Sequence, residues 1–444
     1  MHEFLIMGPE SWRDSMERFC QYKQDTGISS AVVTCEAAEA GPGVDAPDRI
    51  KRRIEHEHRV NGARLVLLVG DADRFPVRYI KATSTEWGTL WYASDLYYAD
   101  LYDSSGAFDD WDADGDGIFA EMDFSKTASP SFNVDKINLY PDVVVGRVPA
   151  STLEEAERYF TKVRDYEYAA RESAAYGFPT DWYRDALFVS GPGFGAVADL
   201  HAVPLASAGF RITKLKEDDP SWAGDSRQAQ RHEKLRAALN NGAGVLYFRG
   251  HGNTNFMADW LTAQDVSLLE NQQRLPIVVS MSCYTARFHV DQNEYLTTMG
   301  VSWTGGQDYF GDRPTPADLQ PKHDKDSLAE EFLVRRNTGA IAFIGATHKF
   351  EHGGQALAGY LFEAYRDAPQ PPTLGSLWHQ ALHRFVATDL KGGTIGMGPY
   401  YAFIHAHKVM LFGDPSLRLG GLAAPQWPSV PGHLRPELAQ AALG

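Results

Sequence analysis

Short apolar runs alternate with amphipathic segments along most of the chain. The runs are rich in Val, Ile, Leu and Phe, as expected for strands that are buried on both faces. The clearest ones begin at Glu3, Ser30, Arg64, Asp142, Ala186, Gly244, Pro276, Ala340 and Lys408. Because helical segments separate them, the pattern predicts an α/β fold of about ten strands, mostly parallel and joined by crossover helices.

Two amphipathic segments carry helix start or stop signals. Ser151 stands three residues before Glu154, the spacing of a capping box, and predicts the start of the long helix TLEEAERYFTKVRDYEYAARE. Gly177 and Pro179 end that helix. A second helix, DSRQAQRHEKLRAALNNG, runs into Gly242 and leads to the strand GVLYF.

The end of the long helix is the predicted boundary between two lobes. An N-terminal α/β lobe covers 1–178, a C-terminal lobe covers 179–424, and a tail rich in Pro and small residues covers 425–444. With 444 residues, 43% of them hydrophobic, the chain can bury a large core. The tail is predicted to be loose or wrapped over the surface.

Charge and cysteine content narrow the class of protein. The formal net charge of -16 argues against nucleic-acid binding, which needs clustered Lys and Arg. Three cysteines give no even-numbered disulfide framework and favour a reducing compartment. No apolar segment reaches the ~18 residues of a membrane span. The N-terminal segment does not resemble a secretory signal, so a cytoplasmic location is expected.

Two candidate reactive residues follow strongly apolar strands. His251 lies in a Gly-His-Gly loop after GVLYF, and Cys283 ends the stretch PIVVSMSC. In an open parallel sheet, functional groups gather beyond the carboxyl ends of the strands. The segment between them has room for one crossover helix, ADWLTAQDVSLLENQQRL. We therefore predict that the two strands are neighbours and that the imidazole and the thiol meet at one sheet edge.

The chemistry of this pair has three interpretations. In the first, Cys283 is a nucleophile activated by His251, and the backbone N–H groups of Gly252 and Cys283 stabilise an oxyanion. In the second, the glycines form a tight turn, the thiol is a buried apolar group and the imidazole is merely exposed. In the third, Cys283 and His289 bind a metal, although their spacing is unusual for zinc ligands.

The segment DADGDGIFAEMD has the spacing of a calcium-binding loop. Alternate carboxylates around a Gly turn converge on one hard cation, and later positions complete the coordination. Position 12 carries Asp instead of the usual Glu, and Glu121 competes for that role. A solvated turn is the alternative interpretation. The predicted calcium ligands are Asp112, Asp114, Asp116, Ile118, Glu121 and Asp123.

Several motifs follow one another in a fixed order along the chain: LVLLVGDADRFP, SDLYYADLY, WDADGDGIFAE, YPDVVVGRVPAST, GHG, SMSCYTARF, SLAEEFL, GAIAFIGAT and LFGDPSLRL. Taken in this order, they resemble the gingipain-like cysteine peptidases, which belong to the wider caspase-like group. The resemblance implies a two-lobed, caspase-like α/β/α sandwich with mostly parallel sheets and a catalytic C-terminal lobe. It also implies that His251 is the general base and acid, that Cys283 is the nucleophile, and that calcium is bound.

The resemblance does not assign the substrate pocket. Family members carry acidic residues after the strand that is ALFVS here, whereas this chain has Pro192 and Phe194, and Asp199 is the nearest acid. We take Asp199, Thr347 and Phe350 as pocket candidates. The family precedent favours a basic residue before the cleaved bond, and the third catalytic residue stays open.

The segment between Phe288 and Ser327 is rich in Gly, Pro and Asp and has no core pattern. Such long loops are usually functional or mobile, and we predict that this one borders the substrate cleft and controls access or is cut on activation. A solvated insertion is the alternative. The leading function is a regulated cysteine endopeptidase with a protein or peptide substrate and an activating protein partner. The alternatives are an inactive caspase-like protein that binds a peptide or partner, and another acyl transferase or amidase.

Overall fold

A single large sheet forms the centre of the protein. The computed structural model describes residues 1–84, 88–123, 132–176, 181–222, 226–289, 326–368, 372–389 and 399–420. Its strands are β1 (Phe4–Gly8), β2 (Ser30–Thr34), β3 (Leu65–Val69), β4 (Tyr79–Ser84), β5 (Gly88–Ala93), β6 (Met122–Asp123), β7 (Val144–Val148), β8 (Asp185–Ser190), β9 (Arg211–Lys216), β10 (Val245–Arg249), β11 (Gly252–Asn253), β12 (Phe256–Met257), β13 (Leu261–Thr262), β14 (Ile277–Met281), β15 (Ala342–Ala346) and β16 (Val409–Phe412). Ten of them form this sheet, in the order β2-β1-β3-β7-β16-β15-β14-β10-β8-β9.

Every neighbouring pair in the large sheet is parallel except β15 and β16. The sheet therefore consists of two parallel halves that run in opposite directions. The carboxyl ends of β15, β14, β10, β8 and β9 share one edge. The predicted mostly parallel α/β fold is confirmed, and the sheet continues through both predicted lobes because β16 pairs with β7.

The nine strands named from their apolar runs all occur in this sheet. The tenth, β9, escaped prediction because half of its residues are exposed and one is buried, so its sequence RITKLK has no apolar run. It is an edge strand, paired only with β8 in the described sheet. A second sheet, in the order β5-β4-β6, was also not predicted.

Helices connect and cover the strands. In chain order they are α1 (Arg13–Asp25), α2 (Cys35–Glu39), α3 (Ala46–His56), α4 (Leu96–Ala99), α5 (Leu153–Tyr176), α6 (Gly195–Ser207), α7 (Arg227–Asn241), α8 (Ala263–Ser267), α9 (Leu328–Leu333), α10 (Ala356–Asp367), α11 (Leu374–Asp389) and α12 (Pro399–Lys408). Helix α10 packs against both α6 and α11, and α1 packs against β1, β2 and α5. No helix in these ranges is both long and apolar enough to cross a membrane.

The long predicted helix exists as α5, but its cap lies one position later than predicted. The N–H of Thr152 donates to Oε2 of Glu155 (3.0 Å), and the N–H of Glu155 donates to Oγ1 of Thr152 (3.3 Å). Glu155 is buried and bends back over the helix start, whereas the largely exposed Glu154 pairs with Arg158. The stop signals at 177–180 lie outside the described residues, as do the segment 290–325 and the tail 425–444.

The connection from β10 to β14 is not the single helix that was predicted. It folds as the small sheet β11-β12-β13 followed by the short helix α8. Trp260 and Leu261 are fully buried there, and Thr262 and Asp265 form a capping box that starts α8 immediately after β13. The prediction that β10 and β14 are neighbours is nevertheless correct.

Candidate active site

His251 and Cys283 follow equivalent positions of neighbouring strands. Arg249, the last residue of β10, is in register with Met281, the last residue of β14. Each candidate stands two residues beyond this pair. Because the strands are parallel, both residues leave the sheet at the same edge, as the sequence predicted.

The two glycines around His251 are required because neighbouring atoms leave no room for a Cβ at either position. A Cβ added to Gly252 would lie only 2.2 Å from Oγ of Ser282 and 3.2 Å from the carbonyl oxygen of Cys283. A Cβ added to Gly250 would lie 2.8 Å from the ring of Phe248. The histidine loop therefore packs directly against the cysteine loop, and any side chain at 252 would separate them.

A strained turn follows the cysteine. Tyr284 has a φ of 59°, in the left-handed region that bulky residues rarely adopt and that costs about 1–3 kcal/mol. The N–H of Tyr284 donates to the carbonyl of His348 (3.0 Å), and the hydroxyls of Ser280 and Thr285 are 2.9 Å apart. These bonds hold the sharp turn that presents Cys283 at the end of β14.

The thiol of Cys283 contacts the backbone of Phe350. The N–H of Phe350 donates to Sγ (3.3 Å), and Sγ lies 3.7 Å from the carbonyl oxygen of the same residue. Burial raises the pKa of Cys283, and the Phe350 N–H opposes that rise. The resting thiol of Cys283 is thus mainly protonated at neutral pH unless a base removes the proton.

A buried charged cluster holds the Phe350 segment against the thiol. Oε2 of Glu351 lies 2.5 Å from Nζ of Lys408 and 3.2 Å from Nε2 of His405. Burial alone would raise the pKa of Glu351, but Lys408 and His405 outweigh it and hold the pKa well below its usual range. The negative charge of Glu351 further raises the pKa of Cys283, while Lys408 and Arg249 lower it.

Arg249 is a buried cation beside both candidate residues. Its Nη1 donates to the carbonyl of Met281 (2.9 Å), its Nε donates to Oε1 of Gln355 (3.2 Å), and its Nη2 lies 3.3 Å from Nδ1 of His352. Burial lowers the pKa of Arg249. Arg249 was not among the predicted site residues, although a charge at the end of the apolar run VLYF was a visible signal.

Aromatic rings enclose the guanidinium of Arg249. The ring of Phe194 is centred 4.2 Å from its Cζ, and the ring of Phe350 is centred 5.3 Å away. Phe194 also lies edge-on to the ring of His251 at 5.7 Å and stacks on His352 at 5.7 Å. Phe194 thus links the imidazole of His251 to the buried cation.

The three predicted pocket residues lie in different surroundings. Phe350 contacts the thiol, as described above. Thr347 follows β15 and donates its hydroxyl to the carbonyl of Ala93 (3.2 Å), which ties the β4-β5 hairpin to the large sheet. Asp199 on α6 pairs with Lys214 (2.8 Å) and Lys216 (2.7 Å) of β9, and these contacts hold its carboxylate on that edge strand.

The predicted calcium loop brings three carboxylates together. One ligand atom from each of Asp112, Asp114 and Asp116 lies within 4.8 Å of the others. Gly115 and Gly117 have φ values of 75° and 80°, which let the chain wrap around this point. Carboxylate oxygens at this spacing fit a hard cation such as Ca²⁺.

The other predicted ligands of this loop have contacts of their own. Oε1 of Glu121 accepts from Nζ of Lys81 (2.7 Å), and Asp123 lies in β6 paired with Thr83. Ile118, at the position that supplies a backbone oxygen, donates its N–H to Asp116 (2.8 Å). Within the described ranges, no group of potential metal ligands contains Cys283 or His289.

Three comparisons show what this arrangement is similar to. A model of peptidase family C25 matches residues 2–420. The crystal structure of the Arg-specific cysteine proteinase gingipain R (RgpB) has a TM-score of 0.63 at 16% identity, over 94% of this chain and 78% of that one. The complex of the pro- and mature domains of Porphyromonas gingivalis RgpB gives a TM-score of 0.63 at 16% identity, over 94% and 79%. At this identity, the likeness shows the fold.

A curated relative is more limited in extent. An uncharacterized protein of Archaeoglobus fulgidus is 25% identical over 238 residues, which are 50% of this chain and 49% of that protein. The chain therefore matches only about half the length of this relative. The family match and the likeness in fold therefore point to the same group of proteins. The chain belongs to peptidase family C25, and the predicted resemblance is confirmed.

Proposed function

We propose that this protein is a cysteine endopeptidase in which Cys283 is the nucleophile and His251 is the general base and acid. Sγ of Cys283 attacks the scissile carbonyl carbon, and the thiol proton passes to the imidazole. His251 then donates the proton to the departing amine as the peptide bond breaks. Water hydrolyses the thioester acyl-enzyme and regenerates the thiol.

The close approach of Gly252 to Oγ of Ser282 and to the carbonyl oxygen of Cys283 is the observation that carries this proposal. It fixes the histidine and cysteine loops side by side at the carboxyl ends of β10 and β14. The thiol must rotate from the Phe350 carbonyl towards the imidazole when substrate binds, since catalytic hydrogen bonds often form only in that complex. The backbone N–H groups of Gly252 and Cys283 are the proposed donors to the developing oxyanion.

Incubating the protein with a diverse peptide library and iodoacetamide tests the proposed function. We expect peptide bonds to be cut and all cleavage to stop as Cys283 becomes alkylated, because only this thiol is partly exposed. Mass spectrometry then maps the cut bonds and the alkylated cysteine. The buried Cys20 and Cys35 serve as internal controls that should react much more slowly.

Other outcomes of this experiment would favour the alternative functions. Absence of cleavage before any iodoacetamide is added, by protein whose Cys283 can afterwards be fully alkylated, would favour a protein that binds a peptide or partner. Turnover of small amides without cleavage of longer peptides would favour an amidase. Cleavage that continues after complete alkylation would contradict the proposal.

We also propose that the loop of Asp112, Asp114 and Asp116 binds a structural calcium ion. Replacing Asp114 with Asn removes one charge from the cluster, and we expect calcium to bind about tenfold more weakly or worse. Calorimetry and the calcium-dependent rise in melting temperature measure this change. The matched control is Asp218→Asn at an exposed site. Equal calcium binding by both variants would contradict the proposal.

Regulation and location stay predictions. Activation by a partner or by cleavage concerns the segment 290–325, which lies outside the described residues. The three free cysteines are compatible with the expected cytoplasmic location.

A further inference from the structure

The charge of Arg249 has no carboxylate partner among the described residues. Its side-chain partners are the neutral oxygen of Gln355 and the imidazole of His352, and its other bonds go to backbone carbonyls. Yet Arg249 is only 3% exposed. An unpaired buried charge is costly, so buried arginines are normally paired with acids.

Arg78 and Arg147, two other buried arginines, follow that rule. Arg78 pairs with Asp45 at 2.8 Å, and Arg147 pairs with Asp95 at 2.7 Å. Arg249 differs from both in two ways. It has no carboxylate partner among the described residues, and it adjoins the residues that would carry out the reaction. A cation in this position lacks an anion that a substrate could supply.

The guanidinium of Arg249 is near the place that the substrate side chain before the cleaved bond would take. Arg249 stands two residues before His251 and donates to Met281, which stands two residues before Cys283. The ring of Phe350, whose backbone contacts Sγ, forms one wall around it. The residue that supplies the attacked carbonyl must approach Sγ, and its Cβ lies only two bonds from the reacting carbon.

We infer that Arg249 is a specificity-determining residue that selects an acidic side chain, Asp or Glu, directly before the cleaved bond. This inference rests on the proposed peptidase function. A guanidinium binds a carboxylate through two parallel hydrogen bonds, and burial strengthens that pairing. A basic side chain would instead bring a like charge to Arg249. The structure thus favours the opposite of the basic preference expected from family precedent.

Entry of an acidic side chain requires one covering ring to move. Phe194 stacks on His352 and lies 4.2 Å from the guanidinium. His352 is exposed and Phe194 is half-buried, so either ring can turn outward at small cost in packing. The carboxylate would then replace His352 or Gln355 as the hydrogen-bond partner of Arg249.

Matched peptides that differ only in the residue before the cut bond test this inference. We expect kcat/KM for Asp or Glu to exceed that for Asn or Gln, and for Arg or Lys, by about 100-fold, because the amides cannot neutralise the guanidinium. Arg249→Gln should reduce this acid-to-amide ratio to near one, and Arg249→Lys should keep part of it. The ratio is measured within one preparation, so a partly unfolded variant does not bias it.

Arg78→Gln is the matched control for Arg249→Gln. Arg78→Gln removes another buried arginine and should leave the acid-to-amide ratio unchanged. Cleavage dependent on Cys283 that prefers basic or neutral residues would overturn the role of Arg249 and leave the peptidase function standing. The same conclusion follows if Arg249→Gln lowers kcat/KM equally for every substrate. If no peptide is cleaved in a reaction that requires Cys283, both the peptidase function and the role of Arg249 are overturned.

Discussion

Replacing Cys283 with Ala is expected to lower kcat/KM for peptide hydrolysis by about 10⁴-fold or more. Alanine has no group that can attack the carbonyl, and the remaining oxyanion donors and binding contacts give only slow residual catalysis. The change removes one half-buried atom, so the fold should persist. Initial rates on the best peptide from the library, together with the melting temperature, measure both effects.

Cys20→Ala is the matched control for this substitution. Cys20 is a buried thiol on α1, within the first lobe, and is not part of the proposed site. Its replacement should change stability slightly and leave kcat/KM within about twofold of the original. Full activity of the Cys283→Ala variant, with its melting temperature unchanged, would show that another group is the nucleophile.

The positions of His251 and Cys283 could be predicted because they depend on local pattern. Apolar runs located β10 and β14, and the sequence separation between them predicted that the two strands are neighbours. The connection between them was predicted wrongly because its apolar residues, including Trp260, are buried within a small sheet rather than along one helix face. This error left the prediction of the sheet edge unaffected.

Features that depend on distant segments could not be predicted. Phe350 contacts the thiol across 67 positions of sequence, and the bond becomes apparent only after β14 and β15 are paired. The reversal of direction between β15 and β16 has no counterpart in the strand sequences, which are apolar in both cases. Similarly, the presence of Arg249 is visible in the sequence, but only the folded structure shows that none of the described residues gives it an acidic partner.

The surroundings of the thiol set a requirement that the proposed base must meet. Burial and Glu351 both raise the pKa of Cys283, so the resting thiol is a weak nucleophile at neutral pH. The Phe350 N–H, Lys408 and Arg249 act in the other direction without cancelling the rise. A base that accepts the proton during attack is therefore needed, and His251 is the base that we propose.

Replacing His251 with Ala is accordingly expected to lower kcat/KM by about 10³-fold or more and to change the pH dependence of thiol alkylation. Because the pKa of Cys283 is raised, the thiolate fraction is small at neutral pH and grows as the pH increases. Without the imidazole to accept the proton, the rise of the alkylation rate should shift to higher pH. Iodoacetamide rates for Cys283, measured between about pH 6 and pH 10, report this shift separately from peptide binding.

A matched histidine distinguishes the role of the base from a general effect of losing an imidazole. His56 is exposed at the end of α3, and His56→Ala should leave both the peptidase rate and the alkylation profile unchanged. A structural role for His251 would lower the melting temperature and the peptidase rate while leaving the alkylation profile in place. A base acts on the proton of the thiol itself, so the displaced profile is the result that separates the two roles.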